Sequence, residues 1–234
     1  EAHMRTQQMI MWIVGVVFAA AVAVQAGLVL WLGWGLGLVV GFGSLAVLAG
    51  IYHFVLRPWH HRWGATDEEA TRAMPGDEYI SNAGQATHAI SIDADPEEVW
   101  PWLVQLGYDR AGWYSYDWID NDGRPSADRI LPQHQHLEPG DKILMMPELG
   151  FVVREVDEPK SIVSVLEDGS TSWVLGLYPD NGHGTRLVSR WRPHFDTTPA
   201  TLFMTALTDP GSFIMEQKML RTIRDRVEGH HDDD

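Results

Sequence analysis

Ile90-Ser91-Ile92-Asp93-Ala94-Asp95-Pro96-Glu97-Glu98-Val99-Trp100-Pro101-Trp102-Leu103 sets the architecture of this chain. Together with Thr87, His88 and Ala89 it alternates up to Ile92, which predicts a strand over 87–92. Asp95 is a helix cap, Pro96 suits the first helical position, and Glu97 and Glu98 favour the positive end of a helix. Val99, Trp100, Leu103 and Leu106 supply its apolar face, and Gly107 ends it.

Downstream, residues 112–119 form an aromatic run, Gly112-Trp113-Tyr114-Ser115-Tyr116-Asp117-Trp118-Ile119, followed by a polar loop over 120–128. Strands are expected at 142–146, 151–156, 162–166, 172–178 and 186–191, with a hairpin turn at Asp180-Asn181-Gly182-His183-Gly184. Trp173, Leu175 and Leu177 share one face, and Leu187, Ser189 and Trp191 share another. Arg186, Arg190 and Arg192 then point the opposite way, toward solvent. After Pro199 the pattern is helical, restarting at Asp209-Pro210 and running to about Glu228. Phe213, Leu220, Ile223 and Val227 form its apolar stripe. A sheet with one apolar face needs a cover, and this last helix is the element long enough to provide it. The order predicts an α+β domain, a curved antiparallel sheet wrapped around a long C-terminal helix, with a cavity between them.

Upstream the chain changes character. Residues 9–56 contain no charged side chain, a stretch too long for one bilayer crossing of ~20 residues and suited to two. Trp31-Leu32-Gly33-Trp34-Gly35 is the turn between expected spans at 9–30 and 36–56. Small residues recur at Gly15, Ala19, Ala23 and Gly27 and again at Gly33, Gly37 and Gly41. Such stripes seal a hairpin on itself or offer a surface to another membrane protein or a second copy. Arg5 precedes the spans and Arg57, His60, His61 and Arg62 follow them, which places both ends and the soluble domain in the cytoplasm. The division is 1–56 membrane hairpin, 57–86 connector with a short helix starting at Thr66, 87–228 soluble domain, and 229–234 disordered tail.

The net charge of −15 divides as +2 over residues 1–64 and −17 over the rest. A surface that acidic excludes nucleic acid and anionic lipid as general partners. Arginine outnumbers lysine and aspartate outnumbers glutamate, a balance found in halophiles, although arginine excess alone also follows from a high-GC genome. The chain has no cysteine, which rules out disulfides, thiolate metal sites and cysteine nucleophiles.

The opening phrase, Gly112-Trp113-Tyr114-Ser115-Tyr116-Asp117, Ser126-Ala127-Asp128-Arg129-Ile130, Pro139-Gly140-Asp141 and Phe213-Ile214-Met215-Glu216-Gln217-Lys218-Met219-Leu220 together resemble the START-like (SRPBCC) superfamily. These helix-grip domains are also described as polyketide cyclase/dehydrase and lipid-transport-like. The resemblance covers about residues 86–228 and implies a hydrophobic cavity, without a catalytic motif or cofactor to transfer. Trp113, Tyr116, Trp118, Met145, Trp173, Trp191 and Phe213 are the candidate lining residues for a lipid or other hydrophobic small molecule, each equally suited to a core. An enzyme of polyketide-cyclase or dehydratase type would need a polar pair from Tyr116, Asp117 and His134 inside the cavity. An accessory subunit of a membrane complex would instead fill the cavity with side chains. His134-x-His136 beside Asp117, Asp120 and Asp122 matches no strong metal motif, so no metal is expected.

Overall fold

The computed structural model describes residues 16, 19–180, 184–194 and 198–229, with only the backbone at 199–204, 206 and 207. The expected hairpin turn at 181–183, most of the first span before Ala19 and the tail beyond Gly229 lie outside the described residues. The chain forms two compact units, divided between Trp59 and His60.

In the first unit, α1 (Ala19–Leu32) and α2 (Trp34–Ile51) are separated by Gly33 alone, at φ 81°. The turn is therefore one residue, tighter than the five-residue turn expected, because only glycine takes this φ without strain. Gln25 Nε2 donates to Gly37 O at 3.1 Å across the hairpin. A Cβ on Gly37 would lie 2.5 Å from Val29 Cα, so backbones touch there. Gly37 and Gly41 are buried, whereas Ala19, Ala23 and Gly27 are exposed. Thus the stripe of α2 makes the contact, and α1 meets it with Gln25, Leu28 and Val29 rather than with its own small residues. Replacing Gly37 with leucine is expected to pry the helices apart and lower the hairpin's unfolding temperature in detergent. An unchanged value would show that the close approach contributes nothing. Among the described residues, one helix, Trp34–His60, is long and apolar enough to cross a membrane.

The second unit contains α3 (Arg57–His60, its last residue), α4 (Asp67–Thr71), β1 (Ala86–Ile92), α5 (Pro96–Val104), α6 (Asp117–Asp120), β2 (Lys142–Met146), β3 (Leu149–Asp157), β4 (Ser161–Leu166), β5 (Thr171–Pro179), β6 (Thr185–Pro193) and α7 (Pro199–Val227). The six strands form one antiparallel sheet in the order β1-β6-β5-β4-β3-β2. This is the α+β helix-grip layout: a strand and helix, a meander of strands returning to β1, and a long C-terminal helix. Asp95 and Glu98 form the capping box of α5, and Thr66 and Glu69 that of α4. α7 runs through Pro210 without the expected restart. A proline removes one internal hydrogen bond, and the helix is continuous across that position.

Register places Trp173 opposite Trp191 and Leu177 opposite Leu187. The two sets assigned to different faces therefore share one, with Ile90, Ile92, Phe151, Val153 and Ile162, packed against Leu220 and Ile223 of α7. The opposite face is covered too. Met74, Ala89, Val163, Val174 and Val188 form a second, smaller cluster with Ala65 and Tyr178, so the segment from Ala65 to Gly76 straps the outside of the sheet. Arg190 was expected in solvent and is 1% exposed beneath that strap. It donates to Thr87 Oγ1, to the carbonyls of Arg72 and Glu69, and to Asp77 Oδ2 at 2.8 Å. Arg186 pairs with Glu69 at 2.7 Å.

Candidate functional site

The inner face of the sheet carries an aromatic wall. Trp173 on β5 stacks on Trp191 of β6 at 5.0 Å between centroids, and it meets Phe151 at 5.5 Å and Trp113 at 5.7 Å. Trp173 Nε1 donates to Ser189 Oγ at 2.9 Å. The indole N–H groups of Trp113 and Trp191 are buried and meet no acceptor among the described residues. A buried donor without an acceptor carries a desolvation cost of about 1–3 kcal/mol, so two beside one stack are informative.

A polar line continues from this wall to α7. Because β1 pairs with β6, His88 lies opposite Ser189, and both face Glu216. Ser189 takes the Trp173 proton on its oxygen and gives its own to Glu216 Oε1. Glu216 Oε2 lies 2.9 Å from His88 Nδ1, a close ion pair rather than a well-aligned hydrogen bond. His88 Nε2 lies 2.8 Å from the His60 carbonyl, which only accepts, so that nitrogen carries a proton. Burial alone would lower the His88 pKa, but the Glu216 carboxylate outweighs it and the net direction is upward. Phe213 rings sit against His60 at 5.1 Å, His88 at 5.6 Å and Trp63 at 6.2 Å. His61 Nε2 lies 2.9 Å from Asp209, and its Nδ1 lies 3.1 Å from Gln85 O. His60, His61 and Asp209 form the described group whose side chains could hold a metal ion.

The expected lining residues thus separate into groups. Trp113, Trp173 and Trp191 come together, with Phe151 added. Met145 is half-buried on β2 at the edge of the same core. Phe213 belongs with the histidines. Tyr116 lies beneath the Lys218 ammonium at 4.6 Å and edge-on to Trp118, which is 47% exposed. One pocket is lined by Tyr79, Ile80, Ser81, Asp168, Gly169, Ser170 and His194, none of them in the aromatic wall, with a volume of about 340 Å³. Among the described residues no side-chain hydrogen bond joins Tyr116, Asp117 and His134, the polar set named for an enzyme. Asp117 accepts from the Ser126 hydroxyl at 2.5 Å and the Ser126 N–H at 2.9 Å, the His134 carbonyl accepts from Arg110, and His136 pairs with Glu138.

His60, His61, His88, Ser189, Asp209 and Glu216 were missed as site residues, though the pattern carried a signal. His88 holds an inward position of β1, in line with Ile90 and Ile92. Asp209 and Glu216 fall on the stripe of Phe213, Leu220, Ile223 and Val227, where two carboxylates interrupt an apolar face.

Asp120 is pushed up to about 7, first by burial and then by the Asp117 carboxylate. A carboxyl whose folded value is raised stabilises the fold when protonated, so its contribution falls as pH rises from about 4 to about 7. Asp120→Asn is expected to flatten this part of the stability profile and to raise the unfolding temperature at pH 8. A profile unchanged by the substitution would contradict the assignment.

No protein-family model matches the sequence, and no curated protein matches it. Similar solved structures include a protein from Mycobacterium smegmatis, with 16% identity, 65% of this chain and 99% of that one covered, and TM-score 0.41. A polyketide-cyclase-like protein from Corynebacterium glutamicum has 15% identity, 66% and 100% coverage, and TM-score 0.35. An AHSA1-like protein from Aeromonas hydrophila has 16% identity, 63% and 97% coverage, and TM-score 0.36. The fold class rests on the strand order and on the position of α7, not on these values.

Proposed function

We propose that this chain is a membrane-tethered helix-grip domain that binds a hydrophobic small molecule or lipid carrying a hydrogen-bond acceptor. The observation that supports it is the pair of buried, acceptor-less indole N–H groups of Trp113 and Trp191 flanking Trp173. Apolar sites commonly combine aromatic walls with a few polar groups that fix orientation, and a ligand oxygen would satisfy donors the protein leaves open. Binding without chemistry is favoured over a cyclase-type reaction because the Tyr116 ring lies against Lys218 and the Asp117 carboxylate is taken up by Ser126. The tether is the hairpin, with two crossings and both ends in the cytoplasm. The charge-free run of residues 9–56 and the flanking arginines support this reading. It would hold the domain beside a reservoir of membrane-dissolved ligand.

Gentle purification in a mild detergent followed by native mass spectrometry tests the proposal. A retained apolar molecule, at about one per chain, is the expected result. A clean apo mass together with stable co-purification of a membrane protein would transfer the function to a structural subunit.

A further inference from the structure

We propose that His60, His61 and Asp209 form a binding site for a divalent transition metal of the zinc class, joining α7 to the end of α3 and the residue after it. One ligand atom from each residue lies within 4.8 Å of the others. The His61 ring is held by its far nitrogen: Nδ1 lies 3.1 Å from the Gln85 carbonyl, which can only accept, so Nδ1 carries the proton. Nε2 then faces the Asp209 oxygens at 2.9 and 3.0 Å, the side of the ring on which a cation would be bound. A backbone carbonyl orienting the ring from behind is the usual support of a metal-bound histidine. His60 Nε2 stands 4.0 Å from Asp209 Oδ2, and the His60 carbonyl is anchored by His88 at 2.8 Å, which fixes the ring's place. The Phe213 ring, 5.1 Å from His60, supplies an apolar wall.

The donor set decides the class of ion. Two imidazoles and one carboxylate suit zinc, whereas magnesium and calcium take six or more oxygens. Three protein ligands leave a fourth position, and half-burial of His61 and Asp209 lets water or another small ligand reach it. Such an ion would cross-link sequence positions 148 residues apart, fastening α7 at the residue before Pro210. The site does not depend on the ligand proposed above, and its test reads metal rather than lipid.

The test uses the full chain in mild detergent, carrying His230→Ala and His231→Ala so that the C-terminal histidines do not contribute, and purified without a metal column. Zinc is titrated in competition with a chromophoric chelator, and cobalt is added separately for its absorption spectrum. One zinc per chain is expected, with a rise in unfolding temperature and the intense visible bands of four-coordinate cobalt. Asp209→Asn and His61→Gln should each weaken zinc binding by roughly 10–100-fold or more and abolish the temperature rise. His60→Gln provides an independent variant if either unfolds, and metal-free circular dichroism checks that each is folded. Unchanged binding in all three variants would place the ion elsewhere and overturn the proposal. Absence of zinc binding in the parent would overturn it equally, leaving a His61–Asp209 ion pair only.

Discussion

Replacing Arg190 with methionine is expected to lower the unfolding free energy by about 3–5 kcal/mol and the unfolding temperature by about 10 °C or more. Four groups depend on this guanidinium: the Thr87 hydroxyl, the carbonyls of Glu69 and Arg72, and the Asp77 carboxylate. Burial lowers the Arg190 pKa and Asp77 pulls it back, so the charge persists because its partner does. Removing one partner leaves the Asp77 carboxylate, among the described residues, with Arg192 at 3.1 Å and the Met74 N–H at 2.9 Å. It also strands the strap's two carbonyls against the sheet. A double-mutant cycle with Asp77→Asn should recover part of the loss, since the second change removes the charge that the first exposed. A cost below about 1 kcal/mol for Arg190→Met would show that the strap contributes little to the fold.

Trp173→Ala carries the second large effect, about 3–5 kcal/mol. Its ring is 2% exposed and touches three other aromatic rings, so truncation leaves a cavity that its neighbours on rigid strands cannot close. It also removes the N–H that orients Ser189 toward Glu216. Trp173→Phe separates the two contributions, because it keeps most of the ring and loses only the hydrogen bond, at about 0.5–1.5 kcal/mol. Chemical unfolding of both variants checks the division. Near-equal losses would mean that the hydrogen-bond line, not the ring, holds this part of the core.

The strands were legible because alternation is local: each predicted run from 87–92 to 186–191 is a strand, one or two residues longer at most ends. The capped start of α5 was legible for the same reason. Pairing was not. That Trp173 and Trp191 share a face follows from the β5–β6 register, which no single strand displays. Burial of Arg190 depends on partners 113 to 121 positions away, in a segment whose glycines and prolines read as a connector. In the hairpin, composition pointed to small-residue packing, yet α1 contributes Gln25 and Val29, since one glycine turn fixes which faces meet. The polar line at α7 was within reach. Two carboxylates at helical spacing within an apolar stripe, and a histidine on the inward face of a strand, need partners from one another.

The account depends most directly on the two open indole donors. Native mass spectrometry of the full chain should show one retained apolar molecule in the wild type. In the Trp113→Phe, Trp191→Phe double variant, which keeps both aromatic rings, that molecule should be largely lost while the unfolding temperature measured after delipidation stays close to the wild-type value. Retention unchanged in the double variant, or a wild-type protein that carries no molecule at all, would contradict the binding role.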